Sequence, residues 1–269
     1  MKDTMYIIDA HTHIFPGKIA GKATDAIGDF YELPMYAPGS PETLLESGAK
    51  IGVKGFLVCS SATTPEQTYT INDFIAAQCS LHPEFFGLAT MHHELPDIEE
   101  ELDRAIALGL HGVKIHHDFQ GVDIDEPAAI PMYRAIAKKG LPLLFHMGDN
   151  RYEHTTPARL AHVMRQVPEL KVIAAHFGGY QAWHEVAKEL PLSENLRFDT
   201  SSSLAILPKD DALKLIDRYG VERYFFGTDF PMWEPVAELA RFHALGLTKA
   251  EEEKIFHTNF EDFFGLPRH

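Results

Sequence analysis

Short apolar runs rich in Val, Ile, Leu and Phe recur along the chain, at 6–15, 53–60, 86–91, 112–117, 142–147, 171–177, 196–201 and 223–230. Between several of them, apolar residues return every three or four positions instead. A short continuous apolar run is how a parallel strand buried on both faces reads, and the amphipathic stretch that follows reads as its crossover helix. Residues 97–108 (DIEEELDRAIAL) and 128–138 (AAIPMYRAIAK) show the helical pattern, each followed closely by a Gly suited to ending a helix. Eight strand–helix units favour a closed (β/α)8 barrel over an open doubly wound sheet. The 269 residues match the roughly 250 that one such barrel uses, so 1–269 reads as a single domain.

Two segments stand outside this rhythm. Residues 17–41 (GKIAGKATDAIGDFYELPMYAPGSP) hold four Gly and three Pro and have no clear period, which predicts a loop over the first strand end, forming a substrate lid or wall. Residues 248–264 (TKAEEEKIFHTNFEDFF) predict a terminal helix closing on the barrel exterior.

Composition narrows the class. With 45% hydrophobic and 23% charged residues the chain can bury a large core and has no signature of disorder. A net charge of −15 sets the overall field against nucleic acid and anionic lipid, although a metal ion and nearby Lys or Arg can reverse the potential inside a pocket. Cys59 and Cys79 are too few for a disulfide framework and are expected to be reduced thiols. The opening residues, MKDTMYIID, lack the basic and apolar regions of a secretory signal, and no stretch approaches ~18 consecutive apolar residues, so a soluble cytoplasmic protein is expected.

The polar residues that end the apolar runs carry the chemistry. Strand one ends DAHTH, and because alternate strand residues share a face, His11 and His13 point the same way and two imidazoles can reach one ion. Strand five ends in His146, strand six in His176 and strand eight in Asp229. Singly, each could be a hydrogen-bonded core residue or the cap of the next helix. Together, at the strand edge where barrel enzymes place catalysis, several buried imidazoles and a carboxylate would be costly unless a cation compensated them all.

The set DAHTHIF, LLFHMGD, IAAHFGGY and FFGTDFPM, in this order and spacing, resembles the amidohydrolase superfamily. More narrowly, it is similar to the amidohydrolase-related group that includes aminocarboxymuconate-semialdehyde decarboxylase and related hydrolases, over a stretch from Asp9 to the Asn259 and Phe263 region. The resemblance implies one divalent ion, usually zinc, on His11, His13, His146 and Asp229, and a His176 that contacts or activates the metal-bound water and substrate. Elementary chemistry assigns His176 the same work, since an imidazole near a cation can pass a proton to or from that water. Asp229 could accept the water proton as well as bind the metal. Nitrogen and carboxylate ligands suit zinc, but manganese, iron or cobalt could use them too.

Lys114 and His116 share one face of strand four, the inner one by this reading. Substrate contact ranks first for Lys114, structural pairing second, and a carboxylated lysine bridging two metals, as in some amidohydrolases, third. His116 is a weaker candidate for substrate binding, and His117 should face away. Arg151, after strand five, and Trp233, after strand eight, fall on the functional side as candidate substrate-binding residues. One of His92 and His93 could reach the pocket. Phe15, Met147, Phe177, Phe230 and Trp233 could wall it, Cys59 reads more as a small buried residue than as lining, and Asp199 reads as a loop or hydrogen-bond anchor.

Metal-activated water in an apolar pocket puts hydrolysis of a small amide, ester or lactone first. The first Arg of the chain is Arg104, so no early-loop arginine is placed to grip a carboxylate, which favours hydrolysis further. Non-oxidative decarboxylation of an unsaturated or aromatic acid is the close alternative, with Lys114 or Arg151 as the carboxylate grip, and a non-catalytic metal-binding scaffold is the third reading. The partner is a small molecule, with a carboxylate among the candidates. A homodimer is a family-level expectation only.

Overall fold

The computed structural model describes residues 5–269; Met1–Thr4, part of the segment read against export, lie outside the described residues. Nine β segments run in chain order: β1 Ile7–His13, β2 Val53–Cys59, β3 Phe85–Gly87, β4 Ala89–Thr90, β5 Val113–Ile115, β6 Pro142–Phe145, β7 Lys171–Ala174, β8 Leu196–Asp199 and β9 Tyr224–Phe225. Pairing is parallel throughout, in the orders β1-β2-β3 and β4-β5-β6-β7-β8-β9. β3 and β4 are one chain run interrupted at Leu88, whose N–H still donates to the Val58 carbonyl (3.0 Å) while the Ala89 N–H turns to Gly112 (2.9 Å). One run thus serves both neighbours, and the strands number eight.

The ring closes between β1 and the residues after β9. The Ala10 N–H donates to the Phe226 carbonyl (2.8 Å) and the His13 N–H to Phe230 (2.7 Å). Buried Asp9 clamps the same seam, accepting from the Thr228 N–H (2.9 Å) and hydroxyl (2.6 Å). The architecture is the (β/α)8 barrel that the run pattern predicts.

Strand alternation explains why the runs are apolar without a break. Ile8, Leu57, Leu144, Ile173 and Phe225 fill the barrel interior. Their neighbours, such as Val58, Val113, Phe145, Val172 and Phe198, pack outward beneath the helices. No helix among the described residues is long and apolar enough to cross a membrane.

Two expectations change. Residues 17–41 are mostly ordered helix, Gly17–Tyr31, followed by a turn into the helix Pro41–Ala49. The first helix buries Ala20, Thr24 and Gly28 at a spacing of four, a stripe too small in side-chain size to register as a hydrophobic period, and ends where Glu32 turns left-handed (φ 54°). The terminal segment is the helix Lys249–Glu253, a π turn at Lys254–Thr258 and the helix Asn259–Phe264, opened by a Thr248–Glu251 capping box. Rather than lying wholly outside, it sends Phe260 into the interior cluster, edge-on to Phe86 (5.5 Å) and Phe225 (5.7 Å).

Candidate active site

At the C-terminal end of β1 the inward face changes parity. Ile8 and Ala10 belong to the interior cluster, and the β1–β2 register shifts between Asp9 and Thr12. Such a bulge re-aims the residues beyond it, which here turns His11 and His13 toward the mouth. His11 Nδ1 lies 2.8 Å from Asp199 Oδ2, so the proton sits on Nδ1 and the Nε2 lone pair is free. Asp199 is therefore the hydrogen-bond anchor expected, and its object is a site histidine. The flanking imidazoles and the Ser201 hydroxyl hold its carboxyl at about 2 although burial opposes this.

His11 Nε2 and His13 Nε2 stand 3.2 Å apart, and Asp229 Oδ1 lies 3.2 Å from His13 Nε2 and 3.6 Å from His11 Nε2. Donors on adjacent corners of a tetrahedron around an ion bound at ~2.0–2.1 Å are about 3.3 Å apart, so these three fit a divalent cation. Asp229 takes a left-handed φ of 59°, and its Oδ2 accepts the Ser202 hydroxyl proton. Despite its burial, the His11 and His13 rings beside it keep its carboxyl well below the usual carboxylate range. Lys114 Nζ, fully buried, stands 3.3 Å from His11 Nε2, and burial pushes its pKa down.

His176 follows Ala175, an interior residue, so simple alternation would turn it outward. Its left-handed φ of 60° brings it back to the mouth. Its Nδ1 meets Ser201 Oγ at 2.9 Å and its Nε2 meets His146 Nδ1 at 3.0 Å. Burial lowers its pKa to about 4, leaving it neutral.

His146 does not share the three-donor group. Its Nε2 faces Asp118 Oδ2 (3.5 Å) and the Tyr31 hydroxyl (3.4 Å), and its ring stacks on His116 at 3.9 Å. His116, Asp118 and His146 form a second cluster of potential ligands one ring away. The strand end carrying His146 is pressed close to its neighbour: Gly148 has φ +85°, and a Cβ there would lie 2.3 Å from the Tyr180 carbonyl oxygen.

These groups line one cavity of about 560 Å³. Its apolar wall comes chiefly from the helix Gly17–Tyr31, through Ala23, Ala26, Ile27 and Phe30, with Phe15 and Met35 beside them. The sequence places this segment as a wall of the site but as a loop; its helical form, Tyr31 and the cavity-lining Asp118 are what sequence reasoning missed.

Two expected substrate contacts are corrected. Arg151 does not line the cavity; its guanidinium makes a two-pronged pair with Asp149 (2.9 and 2.7 Å) and donates to the Phe30 carbonyl (2.5 Å), which ties down the end of the helical wall. Trp233 is likewise outside, its indole N–H donating to Ser202 Oγ (2.8 Å) and so supporting Asp229 from behind. Met147, Phe177 and Phe230 are core, His92 and His93 stack on each other away from the cavity, and Cys59 is a buried interior residue. His117 faces the helical layer, paired with the Tyr133 hydroxyl (2.7 Å).

A sequence model of the amidohydrolase family matches residues 8–266. The chain is 25% identical to 2-amino-3-carboxymuconate-6-semialdehyde decarboxylase of Dictyostelium discoideum, over 73% of this chain and 66% of that protein, short of two thirds of the relative's length. Among solved structures it is similar to an uncharacterised TIM-barrel protein of Bordetella bronchiseptica, with a TM-score of 0.79 at 19% identity over 97% of this chain and 99% of that one. It is also similar to 5-carboxyvanillate decarboxylase of Novosphingobium aromaticivorans, complexed with manganese, with a TM-score of 0.77 at 16% identity over 98% and 97% of the two chains.

Proposed function

The chain belongs to the amidohydrolase family, and from that premise we propose that it is a metal-dependent decarboxylase of a small unsaturated or aromatic carboxylic acid. The observation that carries the reading is the meeting of His11 Nε2, His13 Nε2 and Asp229 Oδ1, with Lys114 Nζ beside them, at a largely apolar cavity. Hydrolysis ranks first on the sequence alone; the named decarboxylase relatives favour the other reaction.

His11, His13 and Asp229 would hold the ion, with His146 proposed as the residue that completes the set. Zinc and manganese both suit these donors. A bound ion supplies Lewis acidity, orienting the carboxylate and dispersing the negative charge that develops as carbon dioxide leaves. Lys114 adds a cationic group at the same point, a local attraction for an anion within a chain of net charge −15. Phe15, Ile27, Phe30 and Met35 exclude water from the carbon skeleton. Cleavage of the carbon–carboxylate bond leaves its electron pair on the substrate carbon, which must then take up a proton. Water must supply that proton: Nε2 of neutral His176, whose Nδ1–H is directed to Ser201, carries none of its own and would take one from water before passing it to the carbon.

Hydrolysis remains the second reading on one observation: a neutral His176 is equally suited to take a proton from water. The deciding experiment assays purified protein loaded with zinc or manganese against a panel of aromatic and unsaturated acids and of lactones, recording carbon dioxide release and acid formation in parallel. Carbon dioxide release is the expected result. Acid formation without it establishes hydrolysis, and stoichiometric metal with neither product establishes the scaffold.

A further inference from the structure

The two imidazoles of β1 are backed in different ways. His11 has a carboxylate behind it, Asp199, whereas His13 faces a sulfur: its Nδ1 lies 3.6 Å from Sγ of Cys59, a fully buried residue. His13 and Cys59 are register partners across β1 and β2, so the contact is built into the sheet. Further bonds fix the cysteine in place. Its carbonyl accepts the Ile14 N–H (3.1 Å), and its S–H donates to the Thr12 carbonyl (3.4 Å). With that proton spent on Thr12, the sulfur has only lone pairs to offer His13. An ion bound at His13 Nε2 leaves the ring proton on Nδ1, and among the described residues Cys59 Sγ is the hydrogen-bond partner that proton has.

We propose that Cys59 is a positioning residue for the metal, accepting the His13 Nδ1–H so that Nε2 points at the ion, an inference that rests on the reading of His13 as a metal ligand. A ligating imidazole whose second nitrogen is unheld can rotate or take the other tautomer, and either change withdraws the Nε2 lone pair from the ion. The choice of cysteine follows from its two neighbours. On one side it belongs to the apolar interior cluster, where a carboxylate would be costly and a small thiol is not. On the other it gives His13 direction without adding a third negative charge to a buried group that already holds Asp199 and Asp229.

The test measures zinc affinity by competition with chelators of graded strength, together with the ring N–H resonances of zinc-loaded protein isotopically labelled at histidine, where His13→Ala identifies the His13 signal by its loss. Cys59→Ala should weaken zinc binding about ten- to a hundredfold and open the His13 Nδ1–H to rapid exchange with water, while the His11 Nδ1–H stays protected. Cys59→Val, which refills the space but offers no acceptor, should lose as much. Unchanged zinc affinity in Cys59→Ala, or its recovery in Cys59→Val, overturns the positioning role. So does a loss of affinity with the His13 ring N–H still protected, which would make Cys59 a packing residue. If His13→Ala binds zinc as tightly as the unaltered protein, the reading of His13 as a ligand fails and the proposal falls with it.

Discussion

The two ends of the barrel are built from the same strands to opposite purposes. At the lower end Ile8, Leu57, Leu144, Ile173 and Phe225 meet one another and Phe260, a dry plug whose burial stabilises the fold. Within a few residues along the same strands, the upper end gathers His11, Lys114, Asp199 and Asp229, ionisable groups removed from water and held there by each other. Burying such groups costs stability unless every charge finds a partner. The lower end therefore carries the fold, and the upper end holds a donor arrangement that the fold alone does not need.

The largest expected effect tests the upper end. Asp229→Ala should lower kcat/KM at least about a thousandfold and remove the bound ion, read by elemental analysis, while the metal-free protein keeps its melting temperature or gains. A large loss of metal-free stability would instead make Asp229 a structural residue. Next, His176→Ala should reduce turnover by about 10²–10⁴ with metal stoichiometry unchanged; full activity would remove it from the proton relay. At the lower end, Phe225→Ala should cost about 3–5 kcal/mol in denaturant unfolding while the folded fraction still binds metal. The smallest effect sharpens the contrast outside both ends. Burial raises the Glu238 carboxyl to about 7, with Arg241 working against the shift and Asp229 adding to it. Between its ordinary 4.5 and about 7 the unfolded chain has given up this proton and the folded one has not, so this group makes stability decline as pH rises through that window. Glu238→Gln should therefore raise the melting temperature at pH 8 by a few degrees and change it little at pH 4.5.

Much of this division is legible in the sequence. Strands that alternate between a filled interior and a helical layer are apolar on both faces, so the eight runs stand out, and the polar residues His11, His13, His146, His176 and Asp229 stand at or just past their ends. The β1 bulge leaves no mark in composition, yet it decides which residues of DAHTH face inward. Tyr31 is hidden for a different reason: its helix buries Ala20, Thr24 and Gly28, residues too small to show as a stripe, and its Gly content imitates a loop. Arg151 and Trp233 lie near the right strand ends, but which way a loop side chain turns depends on partners such as Asp149 and Ser202 that are chosen only in three dimensions. His146 shows the same limit, since its strand end is readable and its rotation onto His116 is not.

The helical wall has a consequence for how this barrel diversifies. Most of the apolar lining comes from one contiguous stretch inserted between the first two strands, fastened at its far end by Arg151. Exchange of that cassette would remould the shape of the chamber and leave His11, His13 and Asp229 untouched. A change of diet needs one segment rewritten, not eight.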